Sequence, residues 1–343
     1  MGCGATKPAA PILAVDERAE SQSDGTITDE DLLRLIKSGT VQPTIGAGRT
    51  GKDLKAALDL LDLKDEAVKD KKWDNIGWTD IQESSAYTII KPSTMHQGGT
   101  TICGAISVLE AMAYFRPSLY SRLVLAVYLH GQVITHEGRP WGATPDLKPA
   151  LLAAEPPTSA LGYSSADWMV STSMIAELKD QSFVRDLLGQ DDFLGQDARS
   201  PDGTKTVDHA AGLTCAWDVK RFMVELLGCS EVERSMAYWV PRPSVTEQMV
   251  ALTDSGALER GETVLICLIS EALWEDSSHD PRDASGWAMP SHWVRVRAVA
   301  RDGEALTIDA FSYGEVQQRT MSAEGWGRCY FEALFGKLNE ERS

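Results

Sequence analysis

The sequence predicts an α+β protein, in which a helical lobe from the first half of the 343 residues packs on an antiparallel β-sheet lobe from the last third. Three stretches carry that expectation. Apolar residues at Ile102, Ile106, Leu109, Met112 and Phe115 recur three or four apart, as on one face of a helix, and Pro117 marks where it ends. The run from Glu262 to Ile269, between Gly261 and Glu271, is continuously apolar from Val264 onward and reads as a buried central strand. Residues from His292 to Val299 alternate at period two as a half-exposed strand, and Asp302-Gly303 turns the chain back into Ala305 to Asp309.

The other elements follow in chain order. From Lys7 to about Thr28 the chain is Pro, Ala, Ser and charge, so residues 1–28 read as a disordered arm. Thr28-Asp29-Glu30-Asp31 then caps a short helix from Leu32 to Ile36. Gly46 to Asp53 fits phosphate-loop spacing except at Asp53, where Ser or Thr should hold magnesium, and the preceding Val41 to Thr44 is a poor strand. The segment therefore reads as a glycine-rich turn into an amphipathic helix of Leu54, Ala57, Leu58, Leu61 and Leu63. Lys64 to Asp80 reads as a solvated helix anchored by Trp73 and Trp78, and Tyr87 to Ile90 as a short strand. Further helices are expected up to Leu129, over Ala166 to Leu188 and over Ala216 to Leu227, with a Gly- and Pro-rich loop from His136 to Tyr163. Val316 to Thr320 reads as another strand, and Ser322 opens a closing helix carrying Trp326, Tyr330, Leu334 and Phe335. Residues 29–343 are thus expected to form one domain, with a large helical and loop insertion at about 118–260.

The segment from His96 to Phe115 feeds a cysteine into the first turn of its helix, with Thr100 or Thr101 as the expected N-cap. There the helix dipole and free amides should lower the Cys103 pKa and favour the thiolate. Gly98 and Gly99 let a substrate backbone approach, and Gln97 can aim an amide at the same spot as the Cys103 N–H, as in an oxyanion hole. In the hairpin, His292 and Asp309 are expected to be neighbours, the carboxylate holding the imidazole tautomer. His279, in the polar loop from Ser277 to Pro290, is the rival base.

Gln97, five residues, then Cys103-Gly104 at the head of an apolar helix resembles the nucleophile segment of papain-like cysteine peptidases, above all the bacteriocin-processing branch. Their second signature, a strand opening on His and a following strand ending in Asp or Asn, is similar to His292 to Val299 followed by Ala305 to Asp309. The resemblance does not extend to the long stretch between the two islands. The resemblance implies a crevice between helical and sheet lobes and a thiol hydrolase cleaving peptide or isopeptide bonds. It implies Cys103 as nucleophile, His292 as base, Asp309 as orienter and Gln97 as oxyanion donor, with no cofactor. The same triad order serves transglutaminase-like deamidases and arylamine acetyltransferases, although the latter place Gly-Gly nearer their cysteine. A catalytically inactive papain-like adaptor is the non-enzyme alternative. Caspase-like enzymes and effector acetyltransferases, in which His precedes Cys, have the wrong chain order.

Composition narrows the partners. With 33 Lys plus Arg against 50 Asp plus Glu, the formal charge of −17 disfavours nucleic acid and anionic membrane surfaces, while the resemblance implies a protein or peptide substrate. The six cysteines, at positions 3, 103, 215, 229, 267 and 329, form no CxxC and read as reduced thiols of a cytoplasmic protein. The histidines show no metal-binding spacing. Met1-Gly2-Cys3-Gly4-Ala5-Thr6 matches the N-myristoylation pattern, with Cys3 as the palmitoylation candidate, so acylation in a eukaryotic cell would tether the chain to a membrane.

Overall fold

The computed structural model describes residues 51–96, 102–142, 147, 149–154, 156, 164–179, 214–236, 242–275 and 290–339. Gln97, His279, Gly2, Cys3, the N-terminal arm and the helix expected at Leu32 lie outside them. The helical half contains α1 (Gly51–Leu61), α2 (Trp78–Ile90), α3 (Cys103–Phe115), α4 (Pro117–His130), a single turn α5 (Pro149–Leu152), α6 (Ser165–Lys179) and α7 (Ala216–Arg221). A π-turn at Phe222–Leu226 prolongs α7.

The sequence explains most boundaries. In α1 the apolar stripe Leu54, Ala57, Leu58 and Leu61 is buried, as its spacing predicts. Every residue of α3 from Cys103 to Ala113 is buried, so this helix is the axis of the lobe rather than an amphipathic surface element. It stops because Arg116 precedes a proline, which disfavours helical ψ, and Arg116 adopts φ −137°, ψ 60°. Pro117 then opens α4, and Gly131 at φ 62° caps it in the left-handed region. Within the lobe, Asp167 is buried and accepts hydrogen bonds from Thr88 Oγ1 at 2.9 Å and Tyr120 Oη at 2.6 Å, tying α6 to α2 and α4.

The second half builds a six-stranded sheet from β1 (Cys229–Met236), β2 (Thr263–Ile269), β3 (His292–Asp302), β4 (Ala305–Ser312), β5 (Glu315–Ser322) and β6 (Tyr330–Leu338). The strand order is β1-β6-β2-β3-β4-β5, every pairing antiparallel. Helices α8 (Arg242–Asp254), α9 (Glu271–Glu275) and α10 (Ala323–Cys329) intervene. Alternate strand residues enter two cores. Val264, Ile266, Trp293, Phe311 and Leu334 join the helical lobe, while Leu265, Cys267, Ile269, Val294 and Val296 pack with Met249 of α8 and Trp326 of α10. The central strands are therefore covered on both faces, which is why β2 reads as an unbroken apolar run.

Several expectations need correction. Tyr87 to Ile90 is the end of α2, not a strand. Between Lys64 and Asp80 only a 3₁₀ turn at Asp65–Val68 precedes α2, and Trp73 is fully buried. The closing helix ends at Cys329, and Tyr330 to Leu338 is a strand inserted between β1 and β2. Nor is β3 half-exposed, because Arg295 is buried against Glu110 of α3. The residues at 118–260 contribute α4, α6 and α8 to the core and β1 to the sheet.

Candidate active site

Helix α3 points its first turn at the opening of β3. Ser107 Oγ donates to the Trp293 carbonyl at 3.1 Å, and two turns into the helix Glu110 receives Arg295 Nη2 at 2.7 Å and Arg297 Nη2 at 2.8 Å. Burial pushes the Glu110 carboxyl up, but the two guanidinium groups outweigh it and hold the group below the usual carboxylate range. Tyr114 caps the cluster, its ring 4.8 Å from Arg295 and 5.0 Å from Arg297. This buried ion cluster fixes the register of helix on strand and so places Cys103 beside His292-Trp293.

The next residue, Gly104, permits that approach. A Cβ there would stand 2.2 Å from Thr214 Oγ1 and 2.8 Å from Val219 Cγ2, so α7 closes against the first turn of α3 only if residue 104 has no side chain. The Trp293 indole completes the joint by donating to the Thr214 carbonyl at 3.0 Å.

Cys103 is 6 % exposed, and the amides of Trp293, Gly104 and Cys103 itself are directed at its sulfur. The N-cap is Ile102, not Thr100 or Thr101, and it offers no side-chain acceptor, so the first-turn amides keep their donors free of a capping side chain. The pKa goes the opposite way from the sequence expectation. Burial pushes the thiol up to about 11, the amides lower it only in part, and the negative charge of Glu271 adds to the rise.

His292 opens β3 opposite Ile269, next to the residue whose amide meets the sulfur. Its Nε2 is hydrogen-bonded to Ser312 Oγ at 2.9 Å, and the Tyr313 ring lies flat on the imidazole, centroids 4.4 Å apart and planes 4° apart. Burial lowers the His292 pKa to about 4, so the imidazole is neutral at neutral pH. Tyr313 takes φ 50°, a conformation that costs a non-glycine residue on the order of 1 kcal/mol or more. Its hydroxyl donates to Glu271 Oε1 at 2.5 Å. Ser291 Oγ accepts the Glu271 amide at 3.0 Å, fastening α9 to the same strand end. The His96 ring centroid stands 6.4 Å from that of Tyr313, and His96 packs on Gly314.

Asp309 is not part of it. The hairpin turns between Asp302 and Ala305, which sets Asp309 opposite Ala298, and its Oδ1 accepts from Gln318 Nε2 at 2.8 Å. Six residues of strand, about 20 Å at 3.3 Å per residue, separate Ala298 from His292. The position beside the imidazole belongs to Ser312, with Tyr313 and Glu271 around it. Sequence reasoning passed over all three, although counting pairs outward from Asp302-Gly303 brings residues 312 to 314 to the strand end that holds His292.

Among the described residues no cluster of His, Cys, Asp and Glu suits a metal ion, and no helix is long and apolar enough to cross a membrane. Compared with protein-family models and with curated proteins, the chain matches none.

Proposed function

We propose that this protein is a papain-like thiol hydrolase acting on peptide or isopeptide carbonyls, with its site where the head of α3 meets the open end of β3 and β4. The observation that supports the reading best is the joint placement of a helix-initiating cysteine sulfur on the Trp293 amide and, one residue away, an imidazole oriented by Ser312. With Nε2–H donating to Ser312 Oγ, the other ring nitrogen carries the lone pair and accepts a proton.

In this reading the low imidazole pKa and the high thiol pKa favour one form of the first step. Both groups rest neutral, so His292 removes the thiol proton as the sulfur attacks, rather than holding a preformed thiolate-imidazolium pair. The Cys103 amide and, in this reading, the Gln97 side chain receive the developing oxyanion. His292 returns the proton to the leaving amine as the C–N bond breaks. Water then adds to the thioester, giving the acid and the free thiol. Side-chain deamidation or acyl transfer would use the same groups with a different carbonyl or acceptor.

One observation favours the catalytically inactive adaptor as a second reading, namely a thiol at once buried and shifted up to about 11. A substrate-like acyl electrophile followed by mass mapping separates the two. Labelling of Cys103 that disappears in His292→Ala supports the hydrolase, and an unlabelled Cys103 in folded protein supports the adaptor.

A further inference from the structure

Glu271 is an acidic group whose charge reaches Cys103 and that the reaction itself does not use. It opens α9 directly after β2, is half-buried, and receives the Tyr313 hydroxyl on Oε1. Tyr313 in turn lies on His292. Among the described residues no lysine or arginine pairs with Glu271, whereas Glu110, a buried acid packed on β3, holds two guanidinium groups. The Ser291 hydroxyl holds the Glu271 backbone amide and the Tyr313 hydroxyl holds its carboxylate at the strand end.

A fixed negative charge beside a cysteine nucleophile works against the nucleophile, since it opposes the charge that develops on sulfur. A cation brought in with the substrate reverses that effect. It pairs with the carboxylate, cancels the opposing field and relieves the sulfur at the moment of attack. The formal charge of −17 favours approach of such substrates as well. We propose that Glu271 selects substrates carrying a lysine or arginine side chain next to the carbonyl that Cys103 attacks. This inference rests on the thiol hydrolase reading and adds its substrate class.

The test uses the full chain and three peptidyl acyloxymethyl ketone probes, alike except for arginine, citrulline or glutamate beside the reactive carbonyl. Citrulline keeps the shape of arginine without its charge. The measured quantity is the rate of Cys103 modification, mapped by mass spectrometry. The wild-type protein should react with the arginine probe about tenfold to a hundredfold faster than with citrulline, the scale of one charge-assisted hydrogen bond, and the margin should shrink as salt is added. Glu271→Gln, which still offers an oxygen to Tyr313, should react with both at equal rates. Glu271→Arg should come to prefer the glutamate probe. Equal arginine and citrulline rates in the wild type, or a preference that survives Glu271→Gln, overturns the inference and leaves the hydrolase reading standing. Failure of all three probes to modify Cys103 overturns both.

Discussion

Replacing Ser312 by alanine removes the hydroxyl that stands 2.9 Å from His292 Nε2, and under the proposed function it should slow acylation of Cys103 without unfolding the protein. In a site this buried the imidazole nitrogen is then left without its partner, at a cost of about 1–3 kcal/mol, equivalent to roughly five- to a hundred-and-fifty-fold in rate if the loss falls on the transition state. Ser312→Asp tests the same contact in the other direction, because a carboxylate there favours the imidazolium and should raise the His292 pKa above its present value of about 4. The matched control is Asp309→Asn. Asp309 lies opposite Ala298 and bonds Gln318, so its neutralisation should leave turnover within a factor of two or so. The assay is single-turnover acylation of Cys103 by an activated ester, with melting temperature measured on each variant. A rate in Asp309→Asn as low as in Ser312→Ala, both folded, would refute the register argument.

Three further outcomes follow from the packing and the titrating groups. Gly104→Ala should destabilise the protein by about 1–3 kcal/mol, read by urea unfolding, because its Cβ would stand 2.2 Å from Thr214 Oγ1; Thr214→Ala should recover part of the loss. Glu110→Gln should cost about 3–5 kcal/mol by taking from the buried Arg295 the carboxylate it pairs with, and Glu110→Gln combined with Arg295→Met should be more stable than the single change. Stability should also fall toward both pH extremes. His292 has a folded pKa of about 4, below its value of 6.5 when unfolded, so the unfolded chain takes the proton first and about 3 kcal/mol is lost as pH falls from 6.5 to 4. Cys103, at about 11 when folded against 9.0, gives a similar loss as pH rises from 9 to 11; His292→Gln should flatten the acid limb alone.

Local pattern and distant partners contributed unequally to what could be read from the chain. Helix α3 and the β3–β4 hairpin announce themselves through spacing and a turn dipeptide, both properties of neighbouring residues. Tyr330 to Leu338 looked helical because Trp326, Tyr330 and Leu334 are four apart, yet its partners β1 and β2 lie far away in sequence and only their hydrogen bonds decide the matter. Tyr87 to Ile90 erred the other way: its β-branched run suggests a strand, but burial within the helical lobe prevails. At the site, the types of Cys103 and His292 carried a chemical signal, whereas Ser312 and Glu271 are ordinary surface residue types whose roles arise from what they face. The direction of the thiol shift was illegible for the same reason, since a helix start is visible in sequence while the depth of burial is not.

The central claim is that His292 activates Cys103, and the most direct test is the identity of the thiol that a substrate-like acyl electrophile modifies. Among the described cysteines only Cys215 is exposed, so a small, non-specific alkylator should reach it before Cys103. A peptidyl acyl electrophile should instead modify Cys103 first, near neutral pH, in the wild type and not in folded His292→Ala. Modification confined to Cys215, or labelling of Cys103 at the same rate with and without His292, would contradict the account.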